Sequence, residues 1–281
     1  MQPIGLQNIG NTCYMNSVIQ LLMMCTSFIN VLKQLNSNSD IVNEFKIFIT
    51  KYEQATSPIP PFEVKKIISR HKMFEGFDQH DAHEFLIYII DMLDEELKAE
   101  GYSSISEAIF NHKYYTKIIN QEFKEEKLIK FHETILSLPL SKSMNESYAM
   151  FCEFEDIEGW ESEINKQKVL AKKHNIVYKW PKHLFILFKK YNNNSMKIES
   201  QIDIPMVWTI ENQYNGKIQT DVYNFCGSVI HFGNMFGGHY ISVVHKNENF
   251  YLCNDGNISQ IDESQGLQLI KRSYLLLYSK V

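Results

Sequence analysis

A segment rich in Gly and Asn, Gly5-Leu6-Gln7-Asn8-Ile9-Gly10-Asn11-Thr12, runs straight into Cys13-Tyr14-Met15-Asn16-Ser17 and the apolar run Val18 to Cys25. Apolar Tyr14, Val18, Leu21, Leu22 and Cys25 recur at three- and four-residue intervals, which predicts a helix from Thr12 to about Met24 with one buried face. The rest of the chain must pack around that face and leave the loop at its N-terminal end. Cys13 falls in the first turn, where the peptide dipoles favour a thiolate, so it is a candidate nucleophile. The alternative is inert burial, the usual state of a free cysteine.

Downstream, Ile41 to Tyr52 reads as a second helix, Thr56 to Pro61 as a stiff linker and Phe62 to Ile68 as a short helix. Asp78 can cap a further helix whose first turn is acidic, with Asp81 and Glu84. After Gly101 the texture changes. Tyr114 to Ile119 and Phe131 to Leu138 mix β-branched and aromatic residues, and His183 to Phe188 is almost continuously apolar. Tyr223 to His231, His239 to His245, Phe250 to Cys253 and Tyr274 to Ser279 read as strands. Gly233, Gly237-Gly238 and Asp255-Gly256 supply turns, and Asn192 to Ser195 a loop. Helices first and an antiparallel sheet second make an α+β fold, with Cys13 facing the sheet across a cleft.

Composition excludes several classes. A net charge of -5 gives no general attraction to nucleic acid or anionic membrane. The five cysteines, at 13, 25, 152, 226 and 253, are odd in number and form no CxxC pair, which argues against a disulfide framework or a thiolate zinc site and favours a reducing compartment. No basic leader precedes the loop, and the longest apolar run near it is too short to span a bilayer, so a soluble intracellular protein of the cytoplasm or nucleus is expected.

A cysteine nucleophile needs a histidine within reach and a third group to fix that histidine's tautomer. Ten histidines compete. Position favours His239, which opens a strand one hairpin before the Asn254-Asp255-Gly256 turn, where an Asn or Asp at the end of the neighbouring strand can orient it. A surface histidine beside an ordinary Asx turn is the alternative.

Together these segments resemble the ubiquitin-specific proteases, the papain-like deubiquitinating cysteine proteases, over essentially the whole chain. Gly5 to Ser17 is similar to the family's cysteine box and Gln79-His80-Asp81-Ala82-His83-Glu84-Phe85-Leu86 to its acidic box. Trp180 to Phe188, Tyr223 to Gly233, Gly238-His239-Tyr240, Asn254-Asp255 and Tyr274 to Tyr278 resemble the histidine box and its flanking strands. The resemblance implies Cys13 as nucleophile, His239 as general base and acid, and Asn254 as the orienting third member, with Asp255 a second candidate for that role. It also implies Asn8 as an oxyanion donor beside the Cys13 N–H, although Asn8 could be simply a turn residue. Gln79, Asp81, Glu84, Gly237, Gly238 and Tyr240 are the implied substrate-binding residues. The glycine pair would admit a Gly-Gly tail, Asp81 and Glu84 would pair with cations near it or else only offset the dipole of a helix N-terminus, and His231 is assigned a structural role.

The resemblance implies one catalytic domain over 1–281, with a helical thumb over about 1–105, β fingers over about 106–180 and a palm over about 181–281, part of the fingers returning near 195–222. Ubiquitin and ubiquitinated proteins are the expected partners, with an activating or targeting protein possible; no nucleic acid, membrane or cofactor is expected. A silent ubiquitin-binding scaffold and a protease for another ubiquitin-like modifier are the alternative functions. One departure stands out. The family's fingers carry two CxxC pairs on a structural zinc, whereas the corresponding stretches here, about Phe110 to Phe131 and Cys152 to Ala171, hold only Cys152. Fingers without metal, held by packing and β-pairing alone, are therefore expected, with an unusually acidic segment from Glu153 to Glu163.

Overall fold

The computed structural model of the chain describes residues 2–190, 197–214, 217–234 and 237–281. The expected loop Asn192 to Ser195 lies outside them. Helix α1 (Cys13–Leu22) is buried along its whole length because it is sandwiched between the helical layer and the main sheet. Around it lie α2 (Thr26–Gln34), α3 (Asp40–Gln54), α4 (Phe62–Ile68) and α5 (Ala82–Ala99). Asp81, not Asp78, caps α5, its Oδ1 accepting the His83 N–H at 2.7 Å. The helix starts late because the preceding residues are held elsewhere: Gln79 reaches across to the sheet, and the His80 ring packs edge-on against Tyr14 and Phe74.

Beyond a π-helical turn at Ser106–Phe110 come β1 (His112–Asn120), β2 (Glu125–Glu133), β3 (Ile135–Pro139), α6 (Met144–Cys152), β4 (Glu155–Glu161), β5 (Lys168–Lys179) and β6 (His183–Lys189). The chain closes with β7 (Val207–Tyr214), β8 (Lys217–Asn234), β9 (Gly237–Lys246), β10 (Asn249–Asn254), β11 (Asn257–Ile261), α7 (Glu263–Ile270) and β12 (Leu275–Lys280). Two sheets result. The smaller has the order β2-β1-β5-β4; the larger runs β11-β10-β9-β8-β12-β6-β3, with β7 pairing to β8.

The stretch Phe131 to Leu138, which reads as one strand, is divided between these sheets at Thr134, whose hydroxyl bonds Asn111 Oδ1. Its second part, β3, runs parallel to β6, so the larger sheet is mixed rather than purely antiparallel. The runs Leu184 to Phe188 in β6 and Leu275 to Leu277 in β12 are continuously apolar because both faces of the sheet are covered. Phe185, Leu187, Leu275 and Leu277 join the core shared with the helices. Leu184, Ile186, Phe188, Leu276 and Tyr278 join a second core on the other face, together with Trp180, Trp208 and Ile270. Burying each such side chain contributes roughly 1.5–3 kcal/mol, so this double-faced sheet is a rigid floor for whatever its strand ends carry.

The acidic segment around β4 is matched by lysines across the sheet, Glu155 with Lys173 at 3.1 Å and Glu163 with Lys127 at 2.7 Å. Among the described residues no single helix is long and apolar enough to cross a membrane; α1 and α2 pass such a test only jointly and are bent by 86° at their junction.

Candidate active site

Cys13 is the first residue of α1 and is 4% exposed. Burial raises the thiol pKa and the nearby Asp255 carboxylate raises it further; the backbone amides of Tyr240, Tyr14 and Cys13 itself act in the opposite direction. Helix α1 packs on β9, which brings Tyr240 and the preceding His239 to the end of the helix where the sulfur lies. His239 Nε2 lies 2.7 Å from Asn254 Oδ1. An amide oxygen only accepts, so Nε2 carries a proton, and in the neutral imidazole Nδ1 is then the nitrogen with the free lone pair. No hydrogen bond joins the Cys13 thiol to the His239 imidazole, a spacing common in substrate-free cysteine and serine hydrolase sites.

Asp255 does not share His239. Its carboxylate accepts Asn8 Nδ2 at 2.9 Å and Asn16 Nδ2 at 2.7 Å, and its carbonyl accepts the Leu6 N–H at 2.9 Å. One residue, held at φ +50° in the β10–β11 turn, thus ties the N-terminal loop and α1 to the sheet. Asn8 is oriented from its other end as well, because its Oδ1 accepts the N–H groups of Gly10 and Thr12 at 3.1 and 3.2 Å. With oxygen facing amides and nitrogen facing a carboxylate, the orientation of Asn8 is unambiguous, and the second Nδ2 hydrogen is left for another acceptor. Asn16 was not among the residues singled out from the sequence. Its signal was its place one helical turn after Thr12 on the face that carries the loop.

The six expected substrate-binding residues line one cleft of about 490 Å³ next to this centre, together with His80, His83, His231, Asn234 and Tyr274. Gln79 Oε1 accepts the Gly238 N–H at 2.9 Å and so links the helical and sheet walls. Asp81 is engaged within the protein rather than with a cation: it accepts Tyr274 Oη at 2.9 Å and Tyr240 Oη at 3.2 Å in addition to capping α5. Glu84 forms no ion pair with any described residue; partial burial and the neighbouring Asp81 raise its pKa. Gly238 is needed first by the fold, since a Cβ there would overlap the Phe232 carbonyl and the His231 ring. His231, assigned a structural role from sequence, is stacked on Tyr240 with centroids 4.4 Å apart.

Comparison with known proteins fits this construction. The chain is 22% identical over 276 residues to ubiquitin carboxyl-terminal hydrolase 15 of Schizosaccharomyces pombe, covering 92% of this chain and 24% of that protein. It is 24% identical over 352 residues to probable ubiquitin carboxyl-terminal hydrolase 4 of the same organism, covering 99% and 59%. It is also 23% identical over 325 residues to ubiquitin carboxyl-terminal hydrolase Usp2 of Drosophila melanogaster, covering 98% and 34%. The chain therefore spans between about a quarter and three-fifths of the length of these relatives. Its fold matches a chain in the structure of the SAGA Ubp8/Sgf11/Sus1/Sgf73 DUB module bound to ubiquitin aldehyde, with a TM-score of 0.82 at 20% identity, over 99% of this chain and 69% of that one. The family model described as ubiquitin carboxyl-terminal hydrolase matches residues 4–278, and the chain belongs to that family.

Proposed function

We propose that the chain is a thiol-dependent deubiquitinase that hydrolyses the isopeptide or peptide bond after the C-terminal Gly-Gly of ubiquitin. The observation that carries this reading is the convergence at one helix end of a buried thiol, a histidine whose tautomer is fixed by Asn254, and an oriented amide from Asn8. Cys13 loses its proton to His239 Nδ1 as the sulfur attacks the carbonyl carbon of the terminal glycine. His239 then gives that proton to the departing lysine amine, and water, deprotonated by the same imidazole, releases the acyl group from sulfur. Proton transfer of this kind contributes about 10²–10⁴-fold.

Negative charge on the tetrahedral intermediate would be met by the Cys13 N–H and the unused Nδ2 hydrogen of Asn8, a donor worth roughly 3 kcal/mol. Asp255 acts in this scheme as a positioning residue for Asn8, and Asn254 alone orients His239. The tail would lie in the cleft lined by Gln79, Gly237-Gly238 and Tyr240, with Tyr240 and Tyr274 held in place by Asp81 and with Glu84 on its wall to meet a cation. Because the resting thiol is kept neutral by burial, the site is poised for proton transfer to His239 on substrate binding rather than for a standing ion pair. Ubiquitin and ubiquitinated proteins are the proposed partners.

Steady-state cleavage of a ubiquitin C-terminal fluorogenic amide tests the proposal. Wild type should turn it over, and Cys13→Ala should lose turnover while still binding ubiquitin. Binding without turnover by wild type would favour the scaffold reading, and turnover only with another modifier would change the substrate.

A further inference from the structure

The end of the four-stranded sheet carries an arrangement that β-pairing does not require. β2 and β4 are its two edges, three strand spacings apart, or roughly 14 Å in a flat sheet. Yet Ser162 Oγ, just beyond β4, donates to Glu125 Oε2 at the start of β2 over 2.6 Å, and the Ile164 N–H donates to Glu125 Oε1 over 3.0 Å. The sheet end must curl for these edges to meet. Ser162 is 0% exposed; its hydroxyl oxygen also accepts the N–H groups of Ile164 and Asn165, and its backbone closes the β4–β5 turn with Lys166 and Gln167. On the facing turn Asn120, 1% exposed, accepts the Phe123 N–H and donates to the Leu170 carbonyl, both at 2.8 Å.

Asn120 and Glu125 lie in the first stretch where the family resemblance calls for a zinc-binding pair, and Ser162 in the second. The donor set does not fit that metal. Glu125 and Ser162 already spend their polar atoms on each other and on backbone N–H groups, Asn120 spends its own on backbone groups, and zinc is held by thiolate, imidazole or carboxylate ligands. Cys152, the only thiol of these stretches, ends α6 and is hydrogen-bonded to Tyr148. Among the described residues no group of three or more His, Cys, Asp or Glu is placed to hold a metal ion. The expectation of fingers held by packing and β-pairing alone is thus incomplete.

We propose that Glu125 and Ser162 form a hydrogen-bonded clasp, with Asn120 tying the facing turn to β5, that takes the place of a metal crosslink, fixes the curl of the sheet end and thereby positions the surface on which the ubiquitin globule rests. The last step rests on the substrate reading given above. These are positioning residues, distant in sequence and in the fold from the reacting thiol.

Hydrogen exchange and kinetics on the full chain, with Glu125→Ala, Glu125→Gln and Ser162→Ala, test the clasp. Glu125→Ala should speed exchange of the Ile164 and Asn165 amides about tenfold or more, because the Ile164 N–H and the Ser162 hydroxyl that anchors this turn both lose their acceptor. Glu125→Gln should retain part of the protection, since its amide oxygen can still receive the Ile164 N–H. A chelator such as 1,10-phenanthroline should leave wild-type exchange unchanged. KM for a ubiquitin amide should rise about tenfold with kcat within about twofold, while a short peptide amide ending in Gly-Gly is cleaved as before.

Stoichiometric zinc with chelator-sensitive exchange overturns the clasp, as does unchanged exchange in Glu125→Ala. An equal loss on the short peptide overturns its positioning role. If wild type cleaves no ubiquitin substrate, the substrate reading fails, and exchange at the tip still decides the clasp.

Discussion

Replacing Asp255 by alanine removes two hydrogen bonds at once, to Asn8 Nδ2 at 2.9 Å and to Asn16 Nδ2 at 2.7 Å. Bonds to an ionised acceptor contribute about 1.5–3 kcal/mol each. Asn16 retains the Leu6 carbonyl at 3.1 Å, whereas the Asn8 nitrogen loses the group that aims it. If Asp255 acts through Asn8, the loss in turnover is the loss of one preorganised oxyanion donor, roughly 3 kcal/mol or about 10²-fold in kcat. Asn8→Ala should cost the same, and the double variant should fall within about threefold of either single one. Independent actions would multiply to about 10⁴-fold. The assay is kcat with a saturating ubiquitin fluorogenic amide, on variants whose thermal unfolding confirms folding. A second readout separates positioning from general damage. The Asp255 charge helps to hold Cys13 in its neutral form, so Asp255→Asn should speed alkylation of Cys13 by iodoacetamide at neutral pH while slowing turnover. Multiplicative losses, or alkylation and turnover falling together, would refute the assignment.

Two further outcomes are expected. In Gly5→Ala the new Cβ would overlap the Gly256 carbonyl, forcing the N-terminal loop off the β10–β11 turn; a loss of about 2 kcal/mol in urea unfolding and a matching fall in turnover should follow. His112 and His183 are buried and have pKa values lowered to about 4, in each case chiefly by desolvation. The unfolded chain binds these protons near pH 6.5 and the folded one only near 4. Their contribution is therefore intact above about pH 6.5 and is lost as the pH falls toward 4, on the order of 3 kcal/mol per histidine. Denaturant midpoints measured across that window should fall steeply, and His112→Phe, which keeps the stack on Tyr114, should flatten the slope.

Much of the site was legible because its signals are local. The helix behind Cys13 is written in three- and four-residue spacing, and the His239–Asn254 pair follows from one hairpin. The links that hold this centre together were not, because their partners are remote in the chain. Asp255 meets Asn8 and Asn16 across more than 230 residues, and Asp81 meets Tyr274 across 193. Composition shows that such polar groups exist, not which will meet. The same reason accounts for Asp78, a sound cap by local rules, yielding to Asp81 once Gln79 and His80 were engaged across the cleft. It also accounts for β3, whose apolar residues suit either sheet and whose choice is set by its parallel pairing with β6. Helix α2 escaped the sequence reading because the chain turns by 86° between α1 and α2, which interrupts the apolar period.

The central claim is that Cys13 is the nucleophile of a ubiquitin-directed site. Its most direct test is intact-mass and peptide-mapping analysis after reaction with ubiquitin carrying a C-terminal thiol-reactive group, beside a panel of other modifiers bearing the same group. The account predicts one adduct per chain, located at Cys13, absent in Cys13→Ala and weak or absent with the other modifiers. An adduct at Cys25, Cys152, Cys226 or Cys253, or labelling by another modifier with none by ubiquitin, would contradict it.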